Sequence, residues 1–465
     1  MNNKNIKIRS LNKEVLRDEK LIHIYKDHLD NIEHLVYKDY LTGIYNRRSL
    51  FKMYASIKND IKIKNLVFFI LDLDDFKVIN DFFGHNIGDL TLKAVAHVLS
   101  NTCKHGYVAR IAGDEFIIIY ENLKNPKIIE TISNTILKNI NNLTIDKANL
   151  NSISTSIGIV LEKNNENNID NLLIKGDLAL YKAKRLGKNT SVMFTPDLEN
   201  EKKVRIDMVN DLMNDILIDK NVCLYYQPKY TCNKKLVGFE ALFRWHNEKY
   251  SNIPIYKIIN ILEDTKYFEK FNNYIIKKAL KFSKKINKDL NNPIHVAINI
   301  SAKQLMNDNF INNFLALINK EDVSTNTIGI ELTETILLKD LNKNIKKIKN
   351  LKDLGILIYL DDFGTGYSSL NYLIRLPLSR VKIDKYFISK TDQGEKYIKI
   401  LKAIVYICHT LDLPVIAEGV ETLKQLELLK NLDVDYIQGY IFSKTLSEDD
   451  AYNLVIQNNY KRLGI

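Results

Sequence analysis

The sequence predicts an α/β protein with two main domains, a compact α/β sheet domain followed by a (β/α)8 barrel of the TIM type. Strand-like and helix-like segments alternate between about residues 38 and 195, which suits a sheet covered by helices. Eight further strand-like runs follow over some 250 residues, the size and strand count of a TIM-type barrel. A chain of 465 residues that is 45% hydrophobic and 26% charged can form two such cores.

The N-terminal segment, residues 1–37, is polar with a sparse apolar repeat. Apolar residues recur every seven positions at Val15, Ile22, Leu29 and Val36. This heptad pattern predicts an N-terminal helix that forms a short coiled coil, and therefore a homodimer, or else packs on its own domain. The pattern alone leaves both alternatives open.

The first domain, residues 38–195, takes its predicted elements from the hydrophobic pattern. NLVFFILDLDDF is an apolar strand that ends in acids, and NDFFGHNIGDLTLKAVAHVLS is a loop followed by a helix. YVARI and EFIIIY flank a turn and predict a hairpin, and SISTSIGIVLE predicts another strand. The helix DNLLIKGDLALYKAKRLG ends on Gly187 after basic residues, as helix C-termini commonly do.

Residues 196–212 are highly charged and predict a helical linker to the barrel, residues 213–465. Helical stretches separate most of the predicted barrel strands. The eight strands are VCLYYQP, LVGFEALFRW, IHVAINIS, TIGIELTE, ILIYLDDFG, RVKID, PVIAEGVE and DYIQGYIF.

Charge and cysteine usage narrow the class of protein. The net charge of +11 favours anionic partners such as nucleotides, although abundant lysine also reflects a compositional bias. Four cysteines without a Cys-x-x-Cys pair argue against a zinc site or a disulfide framework and suit a reducing compartment. No run approaches the roughly 20 apolar residues of a membrane span, and no signal-peptide core precedes the first domain. We therefore expect a cytoplasmic protein.

Polar residues follow nearly every predicted barrel strand, at the end that faces the active site in TIM-type barrels. They are Glu240, Asn299, Glu331, Asp361, Asp362, Lys382, Glu418 and Gln438. Any one of these acids could simply cap a helix or turn, but so many at one mouth would repel each other without cations. Their oxygen ligands suit two Mg²⁺ or Mn²⁺ ions, which together promote phosphodiester hydrolysis.

Acids also end strands in the first domain. Asp72 follows an apolar strand, and Asp114 and Glu115 lie at the predicted hairpin tip. If the strands are neighbours, these acids can bind Mg²⁺ and a triphosphate, the arrangement that activates a 3′-hydroxyl. A solvated turn without a metal is the alternative.

The barrel motifs FEALFRW, NISAKQL, ELTE, DDFGTGYSSL, KID, AEGVET and QGY closely resemble those of the EAL family of cyclic diguanylate phosphodiesterases, over about residues 213–460. The sequence departs from the family pattern at two positions outside the polar residues of the barrel strands. HNEKY follows Trp245 without the usual His-Pro pair, and Thr445 stands where proline is common. The resemblance implies a catalytically complete barrel.

Site roles follow from this resemblance, residue by residue. It implies metal ligation by Glu240, Asn299, Glu331, Asp361, Asp362 and Glu418. It implies that Lys382 orients or helps to activate the attacking water, in concert with the catalytic acids Glu240, Asp361, Asp362 and Glu418. It implies substrate contacts by Gln227, Arg244 and Gln438, with Arg244 on a phosphate. Glu334 and Glu421 are implied to hold the DDFGTG loop.

The first domain resembles the GGDEF family of diguanylate cyclases through YKDYLTGIYNRRSL, DLDDFKVINDFFGHNIGD, RIAGDEF and LYKAKRLGKN. The resemblance implies a cyclase-palm-like α/β sandwich that binds GTP with one or two Mg²⁺ or Mn²⁺ ions. Implied metal ligands are Asp72, Asp114 and Glu115, of which Asp114 and Glu115 also serve catalysis. Asn80 and Asp89 are implied to bind guanine, and Lys77, Lys184 and Lys188 the phosphates.

Ala112 replaces the first glycine of the GGDEF signature. If that position needs a positive φ, alanine costs roughly 1 kcal/mol, and if the backbone lies against the nucleotide, the methyl group crowds it. Gly113 and both acids are kept, so we expect GTP binding, whereas cyclisation stays open. Many GGDEF cyclases carry an Arg-x-x-Asp product-inhibition site upstream of the hairpin. This chain has Cys103-Lys104-His105-Gly106 at that position.

Three functions fit these features. The first is hydrolysis of cyclic di-GMP to linear pGpG by the barrel, with a GTP-binding domain that regulates it or retains cyclase activity. The second is a net or bifunctional diguanylate cyclase, and the third is a non-catalytic cyclic di-GMP receptor. We expect cyclic di-GMP and GTP as partners and no nucleic acid polymer.

Overall fold

The computed structural model describes residues 36–58, 60–145, 150–151, 153–163, 168–288, 290–334, 341–364 and 370–463. The chain divides into two compact units, Met1–Val204 and Arg205–Ile465. The predicted N-terminal heptads, apart from Val36, lie outside the described residues. No described helix is both long enough and apolar enough to cross a bilayer.

The first unit is a six-stranded sheet with helices, accompanied by a two-stranded ribbon of β5 and β6. Its strands are β1 (Tyr45–Asn46), β2 (Asn65–Leu73), β3 (Tyr107–Ala112), β4 (Glu115–Glu121), β5 (Thr144–Ile145), β6 (Leu150–Asn151), β7 (Thr155–Lys163) and β8 (Ser191–Met193). Its helices are Arg47–Lys58, Phe76–Phe83, His85–Thr102, Pro126–Asn141 and Ile169–Arg185. The helix Pro196–Leu217 runs from this unit into the second.

The six-stranded sheet has the order β1-β3-β4-β2-β7-β8, so β2 and β4 lie at its centre. Both faces of β2 are buried because successive side chains of a strand point to opposite sides. Val67, Phe69 and Leu71 pack in one core, and Phe68 and Ile70 pack in the other. The sheet is therefore covered on both faces, and the predicted α/β sheet domain is confirmed.

The second unit is a closed eight-stranded barrel. Its strands are β9 (Val222–Thr231), β10 (Leu236–Trp245), β11 (His295–Asn299), β12 (Ile328–Thr333), β13 (Leu357–Phe363), β14 (Arg380–Ile383), β15 (Val415–Glu418) and β16 (Tyr436–Gln438). Its helices are Ile255–Glu263, Phe268–Asn287, Ala302–Met306, Phe310–Glu321, Leu341–Asp353, Leu370–Arg375, Lys385–Lys390, Glu395–Thr410, Leu423–Asn431 and Glu448–Leu463. Short 3₁₀ turns occupy Glu248–Tyr250, Thr325–Thr327 and Thr391–Gln393.

The barrel departs from a fully parallel one at β9, which pairs antiparallel with both β10 and β16. Only a tight turn joins β9 to β10, with Lys234 at φ 61° and its backbone N–H donating to the carbonyl of Thr231. Parallel strands need a crossover of a dozen or more residues, so this short connection forces a hairpin. The other seven strands, β10 to β16, pair in parallel with one another.

Candidate metal centre and nucleotide site

The parallel strands of the barrel bring the predicted polar residues to one mouth. Register places Asn299 beside Glu331 on the neighbouring strand, and Glu418 beside Gln438. The antiparallel strand β9 contributes Gln227, which lies opposite Glu240. Strand ends therefore assemble residues that are up to about 200 positions apart in the chain.

Lys382 lies at the centre of the cluster, and its side chain is 1% exposed. Its Nζ is 2.5 Å from Oε2 of Glu331, 2.6 Å from Oε1 of Glu418 and 3.0 Å from Oδ1 of Asp361. Oε2 of Glu240 lies 3.3 Å away. One ammonium thus contacts four carboxylates from four strands.

Asp361, Asp362 and Glu418 each offer a carboxylate oxygen within 4.8 Å of the others, and no second acidic group of this kind is found in the described part of the chain. Asp362 has a left-handed φ of 55°, and its backbone N–H donates to Oδ1 of Asp361 at 3.0 Å. This twist at the strand end directs two consecutive carboxylates toward the same mouth, although successive side chains of a strand normally alternate. An all-oxygen donor set of this kind fits a hard divalent cation.

Two amides fix Glu240 among these acids. Asn299 Nδ2 donates to its Oε1 at 2.8 Å, and Gln438 Nε2 donates to its Oε2 at 2.7 Å. Gln438 Nε2 also lies 3.3 Å from Oε1 of Gln227. The amides therefore hold Glu240 in one orientation and link it to β9.

Burial and lysine charges act in opposite directions on the pKa values of these acids. Burial raises the pKa of Glu418 and is only partly offset by Lys382. For Glu240, burial also acts to raise the pKa, but Lys382, Lys229 and the two amides outweigh it and lower the pKa. Burial and the neighbouring charge of Asp361 raise the pKa of Asp362 to about 6.

Burial disfavours the ammonium form of Lys382, yet the surrounding carboxylates raise its pKa well above the ordinary value. Burial and the charge of Glu240 raise the pKa of Glu331, against the opposing effect of two lysines. The acids of the mouth thus require cationic partners in order to stay ionised.

Arg244 lies on β10, and the two acids predicted to position the DDFGTG loop follow β12 and β15. Arg244 Nη1 donates to the carbonyl of Phe243 at 2.8 Å, and its guanidinium lies 5.5 Å from the ring centroid of Tyr225. Glu334 is buried just after β12, whereas Glu421 is exposed and its backbone N–H donates to Oε1 of Gln425. Residues 365–369, which belong to the DDFGTG loop, lie outside the described residues.

In the first unit, the sheet brings the predicted acids side by side. Asp72 pairs in register with Glu115 across β2 and β4, and Asp114 precedes Glu115 in the hairpin turn. Lys184 Nζ is 2.6 Å from Oδ1 of Asp72. Burial, together with neighbouring carboxylates that include Asp72, raises the pKa values of Asp114 and Glu115.

The guanine and phosphate residues predicted for the first unit are on adjacent elements. Asn80 packs against Gly88, where an added Cβ would lie 1.9 Å from Asn80 Oδ1, and the neighbouring Asp89 is exposed. Lys188 Nζ contacts both carboxylate oxygens of Asp75 at 2.7 Å. Lys77 is exposed on the helix Phe76–Phe83.

Ala112 does not occupy the left-handed region, so the strain expected for a positive φ at this position is absent. The positive φ of the turn, 52°, belongs to Gly113 instead. Arg110 Nε donates to the carbonyl of Gly113 at 2.9 Å and fixes the turn. Ala112 itself is exposed at the end of β3.

Two buried charged residues next to the predicted acids were not predicted from the sequence. Lys229 forms an ion pair with Glu331 inside the barrel, and Asp74 accepts hydrogen bonds from Ser154 and Ser156 beneath the first-unit acids. A signal existed for Lys229: it lies two residues after Gln227 on a strand, and so faces the same side. Asp74 is one of three aspartates in Asp72-Leu73-Asp74-Asp75, a stretch that gives no signal of which of the two adjacent aspartates points inward.

Comparison with known families matches both units. The EAL domain model matches residues 209–445, and the model of the diguanylate cyclase GGDEF domain matches residues 36–190. The chain is 33% identical over 432 residues to the signaling protein YkoW of Bacillus subtilis, covering 92% of this chain and 54% of YkoW. It is 30% identical to the bifunctional diguanylate cyclase/cyclic di-GMP phosphodiesterase MucR of Pseudomonas aeruginosa, covering 89% of this chain and 60% of MucR.

A solved structure of the PaMucR phosphodiesterase in complex with c-di-GMP is similar to the barrel half. It is 29% identical with a TM-score of 0.50, and the match covers 53% of this chain and 99% of that chain. The chain spans little more than half the length of the curated relatives named above. Because the EAL model matches just over half of its residues, directly after a GGDEF match, the chain belongs to the EAL domain family and carries a GGDEF domain before the EAL domain.

Proposed function

We propose that the barrel hydrolyses cyclic di-GMP to linear pGpG in a metal-dependent reaction. The observation that carries this proposal is the carboxylate cluster around Lys382, in which three acids lie within 4.8 Å of one another. Relatives named as cyclic di-GMP phosphodiesterases support the choice of substrate. We also propose that the folded domains span residues 38–195 and 213–465, that 196–212 link them, and that the protein works in the cytoplasm.

The donor set fits two Mg²⁺ or Mn²⁺ ions. We assign the first to Glu240, Asn299, Glu331 and Asp361, and the second to Asp361 and Asp362 with Glu418. Bound divalent cations would supply the positive charge that stabilises a phosphodiester transition state and lowers the pKa of a water molecule. The charge balance supports this assignment, because two lysines cannot neutralise five acids.

The residues of the chain orient the reactants. Lys382 lies among four carboxylates of the mouth, and we assign it the role of orienting or helping to activate the attacking water. Arg244 binds a substrate phosphate, and Gln227 and Gln438 complete the substrate contacts beside Glu240. Glu334 and Glu421 hold the DDFGTG loop. Hydrolysis adds the water oxygen to one phosphorus and a proton to the departing ribose oxygen, which opens the ring.

For the first unit we propose GTP binding, which either regulates the barrel or supports diguanylate cyclase activity. Asp72, Asp114 and Glu115 would hold Mg²⁺ or Mn²⁺, and the proximity of Lys184 to Asp72 supports a site for anionic phosphates. Asn80 and Asp89 would bind guanine, with Lys77 and Lys188 on the phosphates. Cyclisation joins two GTP molecules from two chains, so it requires a homodimer, one of the two arrangements that the N-terminal heptads allow.

Nucleotide chromatography tests these proposals on the purified chain. Metal-stripped protein receives cyclic di-GMP alone, GTP alone, or both, each with and without Mn²⁺. The phosphodiesterase proposal expects linear dinucleotide from cyclic di-GMP only when Mn²⁺ is present. Faster hydrolysis with GTP identifies a regulatory GTP site, whereas any dinucleotide from GTP alone identifies a working cyclase.

Absence of any product in all arms, with cyclic di-GMP still bound, would contradict the enzyme and support the receptor alternative. A dinucleotide that accumulates from GTP faster than the barrel removes it would support the net cyclase. These outcomes separate the three functions without any change to the chain.

A further inference from the structure

Lys229 is a cation inside the barrel to which no motif assigns a role. It lies on β9, and its side chain is 2% exposed. Its Nζ forms an ion pair with Oε1 of Glu331, whose side chain is fully buried. Taking two charges out of water costs several kcal/mol for each ion, so such a pair persists only with well-placed partners.

The two oxygens of Glu331 are held by different lysines. Lys229 contacts Oε1, and Lys382 contacts Oε2 at 2.5 Å. Lys382 is shared with three other carboxylates, whereas Glu331 is the one acid that Lys229 pairs with among the described residues. Lys229 therefore determines the rotation of the Glu331 carboxylate, and Lys382 responds to the whole cluster.

Aromatic rings support Lys229 from below. Its Nζ lies 4.5 Å from the ring centroid of Tyr359, a residue that is 1% exposed. The guanidinium of Arg380 lies 5.6 Å from the same centroid and 4.3 Å from that of Tyr436. Cation–π contacts in a desolvated interior are stronger than at the surface, so this layer fixes the lysine in one position.

We propose that Lys229 is a positioning residue that turns Oε2 of Glu331 toward the barrel mouth and keeps the acidic barrel folded without metal. The proposal rests on the proposed metal-dependent function of that mouth. Partners behind a metal ligand orient it, and their removal typically lowers metal affinity or activity 10- to 100-fold. A role based on charge alone makes the opposite prediction for the metal, because removing a cation strengthens the attraction of the acids for Mn²⁺.

The test compares Lys229→Met with Lys347→Met. Lys347 is a matched control because it is also a buried lysine of the barrel, and it donates to the carbonyls of Leu305 and Asn307 instead of an acid of the mouth. Calorimetric titration of Mn²⁺ into metal-free protein is the first readout. We expect roughly 10- to 100-fold weaker binding in Lys229→Met and wild-type affinity in Lys347→Met. Unchanged or tighter binding in Lys229→Met would overturn the proposal.

Thermal unfolding in EDTA is the second readout and needs no turnover. We expect Lys229→Met to lower the midpoint by about 10 °C, because the buried Oε1 of Glu331 loses its cation and Lys382 alone, shared with three other acids, faces the charge. Adding Glu331→Gln to that variant removes the charge and should restore most of the loss. If the double variant is no more stable than Lys229→Met, or if both variants fail to fold, Lys229 matters only for packing and the proposal is wrong.

Kinetics separate this inference from the proposed function. With saturating Mn²⁺ we expect the kcat of Lys229→Met on cyclic di-GMP to fall about 10- to 100-fold, with little change in KM. If the wild type itself does not hydrolyse cyclic di-GMP, the proposed function fails, while Mn²⁺ affinity and unfolding still decide the role of Lys229.

Discussion

Lys382 shows how one buried ammonium allows four carboxylates to share the barrel mouth. Like charges a few Å apart in a desolvated site disfavour ionisation, and one opposite charge at hydrogen-bond distance reverses this. Lys382 approaches Glu331, Glu418 and Asp361 within 3.0 Å, and its raised pKa keeps it charged. The chain thus carries an internal cation at the centre of its acidic cluster.

His295 predicts an acid-sensitive step in stability. Burial, and then the charge of Arg380, lower its pKa to about 4 in the folded chain, below the ordinary value of 6.5. The unfolded chain therefore binds more protons between these values, so this contribution to stability is complete above pH 6.5 and is lost as the pH falls toward 4. Between these pH values the unfolding free energy of the wild type decreases as the pH falls. We expect His295→Gln to make this decrease smaller by about 1 kcal/mol per pH unit.

Urea unfolding at several pH values measures this slope. The exposed His246 gives a matched control in the same unit, and His246→Gln should retain the wild-type slope. A His295→Gln variant with the wild-type slope would contradict the assignment.

In the hairpin turn of the first unit, we expect substitutions at two neighbouring positions to affect stability differently. Gly113 has a φ of 52°, whereas Ala112 lies outside the left-handed region. Gly113→Ala should therefore destabilise the first unit by about 1 kcal/mol, because a Cβ is unfavourable in left-handed backbone. Ala112→Gly should bring no stabilisation. Denaturant unfolding checks this, and a stabilising Ala112→Gly would show that alanine strains the turn after all.

At the residue scale, motifs predicted which side chains meet at the mouth but not what lies beneath them. Glu240, Glu331 and Lys382 each lie on a barrel strand, so a sequence pattern predicts their common location. Lys229 meets Glu331 across the barrel interior, and a single strand does not reveal its partner on the opposite wall. The conformation of Ala112 depended likewise on which turn residue took the positive φ.

Two capping boxes stabilise the helices that follow site-bearing strands. Ser301 and Gln304 cap the helix Ala302–Met306 after β11, and Thr422 and Gln425 cap the helix Leu423–Asn431 after β15. Gln425 Oε1 also accepts from the backbone N–H of Glu421, so this cap fixes the loop that follows Glu418.

Thr422→Ala should lower the unfolding free energy of the barrel by about 1 kcal/mol, because the N-terminal N–H of the helix loses its acceptor. Thr410 is the matched control, since its hydroxyl donates to Tyr406 within an exposed helix end. Thr410→Ala should change stability by less than about 0.5 kcal/mol in the same unfolding measurement. Equal losses in the two variants would contradict a capping role for Thr422.

At the element scale, the barrel strands and the longer strands of the first unit were predictable, whereas the shortest strands of the first unit were not. All eight barrel strands coincide with predicted apolar runs, as do β2, β3, β4 and β7. The strands β1, β5, β6 and β8 have two or three residues each, too few to show any periodicity. The antiparallel direction of β9 follows from its short connection to β10. A pattern of uniform strand–helix units does not predict it, because no helix separates these two strands.

At the scale of the whole molecule, each unit assembles acids from neighbouring strands at one edge of a sheet. The arrangement predicts that metal removal abolishes activity without unfolding the barrel, because Lys382 and Lys229 remain as internal counter-charges. We expect EDTA to stop hydrolysis and to leave the far-UV circular dichroism spectrum unchanged. Mn²⁺ at about 100 times its dissociation constant should then add about 2.7 kcal/mol of stability. A barrel that unfolds in EDTA would contradict this.

The most direct test of metal-dependent hydrolysis by the barrel compares wild type with Asp361→Asn in Mn²⁺. Cyclic di-GMP binding and pGpG formation are measured on the same samples. Asn keeps the shape of the side chain and removes the charge shared by both proposed metal sites. We expect pGpG from the wild type and a loss of at least about 100-fold in kcat for Asp361→Asn, with substrate binding retained. Binding by both proteins without pGpG from the wild type would contradict an enzyme and indicate a receptor.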